Sequence, residues 1–265
     1  MVATFDDRPS HDSGGSGSGD GGSSGNDTGV NEQDDGSAQG VYPNGCPGHA
    51  GPEPVKAMGF CIDSTEVTNA QYAQFVDAKK GNAGGQSASC AWNATYVPES
   101  GWPVDSSKAS LPVVEVDWCD AQAFCAWAGK RLCGKVGGGA STPDDAARIS
   151  DQWFLACSAA GTRAYPYPGS YADDNCNGDD HGIKKAIAVG TMPKCEGGFG
   201  GLFDMSGNVA EWEDACTGSA GAGDQCLLRG GAYESSESKL GCATAAADAR
   251  SGAHADVGFR CCSSP

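Results

Sequence analysis

Asp173, Asn175 and Asn177 stand at alternate positions ahead of Gly178. This D-x-N-x-N-G spacing sets oxygen side chains around a tight glycine turn, as a hard cation such as calcium requires. A complete EF-hand loop carries Glu at its twelfth position, and here that position is Lys184. The EF-hand is thereby excluded, which leaves a calcium loop of another type or a plain acidic turn.

Ser235, Ser236 and Ser238 lie in the polar stretch 234–241, between an R-G-G strand end and Cys242. A nucleophilic serine needs a positioned base and an oxyanion hole, and Glu237 and His254 offer no recognisable arrangement of that kind. The stretch reads as a solvated polar loop. Gly21 to Gly25 satisfy G-x-S-x-G, but no strand precedes them and no helix follows, so the match is chance. His11, His49, His181 and His254 show neither H-x-x-x-H nor H-E-x-x-H spacing and read as surface residues. Asn93-Ala94-Thr95 is a formal glycosylation acceptor, which reads as an exposed loop.

All 14 cysteines fall between Cys46 and Cys262, even in number and without C-x-x-C knuckles. Seven disulfides and an oxidising compartment are the natural reading, and zinc or iron-sulfur ligation has no local support. Short separations suggest Cys46 with Cys61, Cys176 with Cys195, and Cys216 with Cys226.

Helices must position these groups. Thr68 can cap a helix whose Tyr72, Phe75 and Val76 share a face and which Gly81 stops. Asp117 caps a second, with Trp118, Ala121, Cys125 and Ala128 on one apolar face and Gly129 as terminator. A shorter third helix is expected between Ser150 and Gly161. Glycine, proline, asparagine and aspartate then dominate until short strands such as CLLRGGAY and VGFRCC.

Composition bounds the partners. With 34 Asp and Glu against 17 Lys and Arg, the formal charge of -17 excludes nucleic acid as a partner class. The first 40 residues hold ten Gly, seven Ser and a charge of -7, and such a segment cannot bury enough surface to offset its ordering entropy. Residues 1–40 read as a flexible tether and 41–265 as one domain. No apolar run approaches the roughly 20 residues that span a bilayer. The N-terminus lacks the basic and apolar regions of a signal peptide, so either the chain is a mature or trimmed form or export is not encoded here.

Six segments occur in an order that carries a resemblance: FCIDSTEVTNAQYAQFV, LPVVEVDWCDAQAFCAWAGKRL, YPYPG, GLFDMSGNVAEWEDAC, LRGGAY and VGFRCC. Over most of residues 55–262 the chain resembles the formylglycine-generating enzyme family, also called sulfatase-modifying factor domains. The resemblance implies an α+β fold of irregular, disulfide-rich type with little regular secondary structure, related to C-type lectins.

It also implies a structural calcium site at the G-N-x-x-E-W segment, made by Asp204, the carbonyls of Gly207 and Val209, and Glu211. Two carboxylates beside two tightly turned carbonyls make a hard oxygen cage, and Asp204 stands where the family usually has Asn. A second family calcium site falls nearest Asn175 with Asp179 or Asp180. Two disulfides carry over, Cys125 with Cys261 and Cys157 with Cys242, whereas Cys90, Cys119, Cys133 and Cys262 could pair in three ways.

Catalytic members hold copper(I) on two cysteines in the loop that corresponds to residues 234–241. Here that loop contains no cysteine, and hydroxyls and carboxylates are hard ligands, so no copper is expected. Ala210 further replaces a Trp common in the family's N-x-W-E-W segment. The expectation is a secreted or surface-tethered domain, extracellular or periplasmic, that serves as a binding or display module for a protein or glycan ligand. Alternatives are a formylglycine-generating oxidase acting through unrecognised residues, and a structural subunit of an extracellular assembly.

Overall fold

The computed structural model describes residues 40–48 and 50–265. The glycine-rich tether, the G-x-S-x-G match, His11 and His49 lie outside the described residues.

The chain order is β1 (Pro54–Ala57), β2 (Phe60–Asp63), α1 (Asn69–Lys79), α2 (Trp118–Trp127), β3 (Arg131–Leu132) and α3 (Gln152–Cys157). It continues with β4 (Ala210–Cys216), β5 (Gln225–Arg229), α4 (Glu237–Leu240), β6 (Ala245–Ala249), β7 (Val257–Phe259) and β8 (Cys261–Ser263). The architecture is mixed α and β, with short elements separated by long irregular segments.

Both longer helices start from closed capping boxes. Thr68 accepts from the Gln71 N–H while Gln71 Oε1 accepts from the Thr68 N–H, and Asp117 with Asp120 repeats the exchange. The faces they bury are aromatic. Tyr72 and Phe124 meet Phe259 of β7, and Phe75 packs on both of them, with ring centroids 5.3 to 6.2 Å apart in the offset and edge-on geometries that aromatic quadrupoles favour. α3 is shorter than the expected span. Ser158 ends it by turning its Oγ onto the Phe154 carbonyl at 2.6 Å, and Ala159 and Ala160 follow with φ of 49° and 60°.

Two four-stranded sheets carry the rest, in orders β1-β2-β8-β3 and β6-β5-β4-β7. All pairings are antiparallel except β4 with β7. The register of β3 on β8 sets Arg131 opposite Cys262 and Leu132 opposite Cys261. Consecutive residues of β8 point to opposite faces, so Cys261 bonds Cys125 on one side and Cys262 bonds Cys133 on the other. The remaining disulfides are Cys46–Cys61, Cys90–Cys119, Cys157–Cys242, Cys176–Cys195 and Cys216–Cys226, and no cysteine is free. Seven bridges place the domain in an oxidising compartment.

The sequon lies on an exposed stretch, with Trp92, Ala94 and Thr95 exposed, but the Asn93 side chain itself is buried and its Nδ2 donates to Asp120 Oδ1 at 2.7 Å.

Candidate functional site

The turn from Asp204 to Glu211 leads into β4. Asp204 and Asn208 hold φ of 59° and 62°, in the left-handed region where Asp and Asn are the tolerated non-glycine residues. Gly207 between them, at φ 75°, passes so near another strand of chain that a Cβ would lie 2.4 Å from the Asn177 carbonyl oxygen. Only glycine fits there.

These constraints bring Asp204 and Glu211 into one buried network. Glu211 takes Arg260 on both oxygens, each at 2.7 Å, and accepts a 2.8 Å bond from Trp153 Nε1. Asp204 Oδ2 accepts from the Gly190 N–H at 2.6 Å. A third carboxyl, Glu66, is fully buried beside them; its Oε1 accepts from Asn208 Nδ2 at 2.9 Å, and its carboxyl is hydrogen-bonded to that of Asp204. Burial, and then the charge of Asp204, hold the Glu66 carboxyl well above its ordinary range. Burial likewise pushes Asp204 up, opposed by the Gly190 bond and the Arg260 guanidinium.

The donor chemistry fits a hard divalent cation. Three buried carboxyls share one guanidinium, and burial favours a proton held between Glu66 and Asp204 when no cation is bound. Among the described residues, however, no three His, Cys, Asp or Glu side chains converge as a ready-made metal cage. Glu66 belongs to the same buried network, and no sequence motif marked it.

Asn175, Asp179 and Asp180 each have their own surroundings. Asp179 pairs with Lys184, Asp180 Oδ2 accepts from Tyr171 Oη at 3.1 Å, and Asn175 lines a hollow beside Asp174, which pairs with Lys194. Two lysines thus pair with two of the four aspartates in this segment. Asn177 belongs elsewhere: it is buried and its Nδ2 donates to Asn208 Oδ1 at 3.1 Å, bracing the Asp204 turn.

An open cleft of about 370 Å³ lies between β6 and the loop before α4. Ala210, Gly231, Ala246 and Val257 form its small apolar floor, with Ser235, Lys239, Asp248 and His254 toward the rim. His254 Nε2 sits against Asp248 Oδ2. The 234–241 stretch is more ordered than a solvated loop. Residues 237–240 form α4, Leu240 is buried, Ser206 Oγ donates to its carbonyl at 2.8 Å, and Ser235 Oγ accepts from the Ala232 N–H at 2.9 Å. Ser235 is thus committed to its own turn. Cys242 behind the loop is bonded to Cys157 and fully buried.

The sulfatase-modifying factor enzyme 1-like domain model matches residues 21–265. The chain is 26% identical over 268 residues to the mouse protein named inactive C-alpha-formylglycine-generating enzyme 2, covering 84% of this chain and 80% of that one. It is 25% identical over 275 residues to mouse formylglycine-generating enzyme, covering 81% and 68%. The crystal structure of CarF superposes with a TM-score of 0.54 at 21% identity, over 82% of this chain and 96% of that one, which is a likeness of fold.

Proposed function

On the premise that the chain belongs to the sulfatase-modifying factor enzyme 1-like domain family, we propose that it is a non-catalytic member of that fold. We read it as an exported binding module whose ligand, a protein or a glycan, enters the cleft between β6 and α4.

The bond between Cys157 and Cys242 carries this reading. Copper(I) needs soft thiolates, every cysteine is consumed in a bridge, and the loop beside the cleft offers hydroxyls, carboxylates and one ammonium. An active centre of the family's copper type has no ligands here. The cleft itself persists, and the small side chains of Ala210, Gly231 and Ala246 leave it open to a ligand. The Asp204–Glu211 turn is read as a structural calcium site, supported by the hard oxygen donors of Asp204, Glu211 and the adjacent Glu66. Seven disulfides support a place outside the reducing cytosol, at a cell surface or in an extracellular or periplasmic space.

Copper(I) titration of the purified protein, followed by incubation with oxygen and a C-x-P-x-R peptide, tests the catalytic half. No mass change of aldehyde formation is expected, and turnover abolished by Cys242→Ser would overturn the reading. For the binding half, glycans or peptides captured from an array should be lost when Ala210→Trp fills the cleft. Capture indifferent to that substitution would remove the cleft from the function.

A further inference from the structure

A second cleft, of about 380 Å³, lies beyond the segment 254–257 from the first. His254, Asp256 and Val257 line the first cleft, whereas Ala255 lines the second, so this one segment is the wall between them. The wall is braced, since the Glu115 N–H donates to the His254 carbonyl at 3.0 Å and Glu115 itself holds φ of 60°. A left-handed glutamate is a strained conformation, kept where the surroundings over-determine it.

The two clefts differ in chemistry. Trp102, Val104, Leu111 and Val114, none of them fully buried, give the second cleft an apolar body, and Trp102 is held edge-on to Tyr72 with ring centroids 5.9 Å apart. Lys108 and Lys185 also line it, both exposed, and neither is in an ion pair among the described residues. Asp105 stands within electrostatic reach of Lys108, but its Oδ1 accepts the Ser107 N–H at 2.8 Å and the two residues form no direct ion pair among the described residues. Glu115 is the single carboxylate of the lining. In a chain of formal charge -17, a partly exposed apolar hollow whose own lining carries two ammonium groups against one carboxylate is far less acidic than the chain as a whole. The volume suits a small molecule, and an exposed apolar concavity with a few charged groups is the ordinary form of a ligand site.

We propose that this second cleft binds an amphipathic anion: an aromatic or aliphatic body seated on Trp102, Val104 and Leu111, with one carboxylate reaching Lys108 or Lys185. The first cleft supplies no such match, since Asp248 and Asp256 oppose a single Lys239 there. The proposal stands independently of whether the first cleft binds anything.

The test titrates the whole protein with 4-phenylbutyrate, 4-phenylbutanol and 4-phenylbutylamine at low salt, read by tryptophan fluorescence and by calorimetry. The anion should bind most tightly and the amine most weakly, with the anion's advantage shrinking as salt rises. Lys108→Glu with Lys185→Glu should weaken the anion by about tenfold while leaving the alcohol within about twofold, as expected for exposed charges acting at short range. Trp102→Ala should weaken all three. Both lysines are exposed, so the double variant keeps its fold, which the melting temperature verifies. Equal binding of anion and alcohol, anion binding unmoved by the charge reversal, or no binding of any of the three would each overturn the proposal.

Discussion

Arg260 grips Glu211 by both carboxylate oxygens, Nη2 donating to Oε1 and Nε to Oε2, each at 2.7 Å with both residues buried. The same guanidinium donates to the Asp63 carbonyl at 3.0 Å and the Phe203 carbonyl at 2.9 Å, so it ties the link between β7 and β8 to β2 and to the turn that precedes β4. Removing one partner of a buried pair leaves the other charge uncompensated, at a cost of about 3–5 kcal/mol. Glu211→Ala should therefore lower stability by about that much, read from urea midpoints. A loss below about 1 kcal/mol would show that Arg260 finds another counter-charge, with Glu66 and Asp204 the candidates.

A steric prediction comes from the neighbouring chain crossing. Gly198, at φ 69°, lies against α3 so closely that a Cβ would stand 1.7 Å from the Ala156 carbonyl oxygen. Backbone cannot yield as a flexible side chain can. Gly198→Ala should cost about 3 kcal/mol or more and sharply reduce the yield of folded protein. Thermal unfolding within about 1 °C of the parent would show that the segment relaxes at little cost.

Reduction of the bridges gives a third test. Cys125–Cys261 spans 136 residues and ties α2 to β8, and closing so long a loop contributes about 4–5 kcal/mol in the chain-entropy model. Alkylation under denaturing, non-reducing conditions should label no cysteine, and reductant should unfold the domain. Several labelled thiols would contradict the pairing.

The longer helices were legible because their caps and apolar spacing are local. Thr68 and Asp117 each satisfy donors within three residues, and Tyr72 with Phe75, or Ala121 with Cys125, fall on one face by helical period alone. The pairing of Cys90 with Cys119 and Cys133 with Cys262 was not legible, since it depends on the register of β3 against β8. Glu66 and Asn208, bonded across 142 positions, leave no local trace of their contact. α4 was missed because a four-residue helix rests on the burial of Leu240 rather than on any periodicity. The stretch around Asn93 is exposed as its sequon suggested, but the inward turn of its own side chain left no trace in sequence, since a sequon reports chemistry and not depth.

Calcium should stabilise the fold through the Asp204–Glu211 turn. A ligand at a hundred times its dissociation constant adds about 2.7 kcal/mol, which raises the melting temperature of a domain this size by about 5–10 °C. EDTA should reverse the shift, and Glu66→Gln, which removes a charge beside Asp204, should weaken it. A melting curve unmoved by millimolar calcium and by EDTA would exclude the site.

The last prediction concerns pH and the start of α2. Burial raises the Asp117 carboxyl to about 6, against bonds from the Asp120 and Cys119 N–H groups that favour the charged form. Burial, and then the charge of Asp117, raises Asp120 as well. A carboxyl with an ordinary value near 4 when unfolded and a higher one when folded binds its proton more tightly in the native state. Its contribution to stability is complete below about pH 4 and is lost as the pH rises through about 6. Across that window the parent should lose up to about 3 kcal/mol from this group. Asp117→Asn keeps an oxygen for the cap but cannot ionise, so its stability should fall less between pH 4 and 6.5. Urea midpoints of both proteins across the range decide the matter, and parallel curves for parent and Asp117→Asn would show that Asp117 does not titrate there.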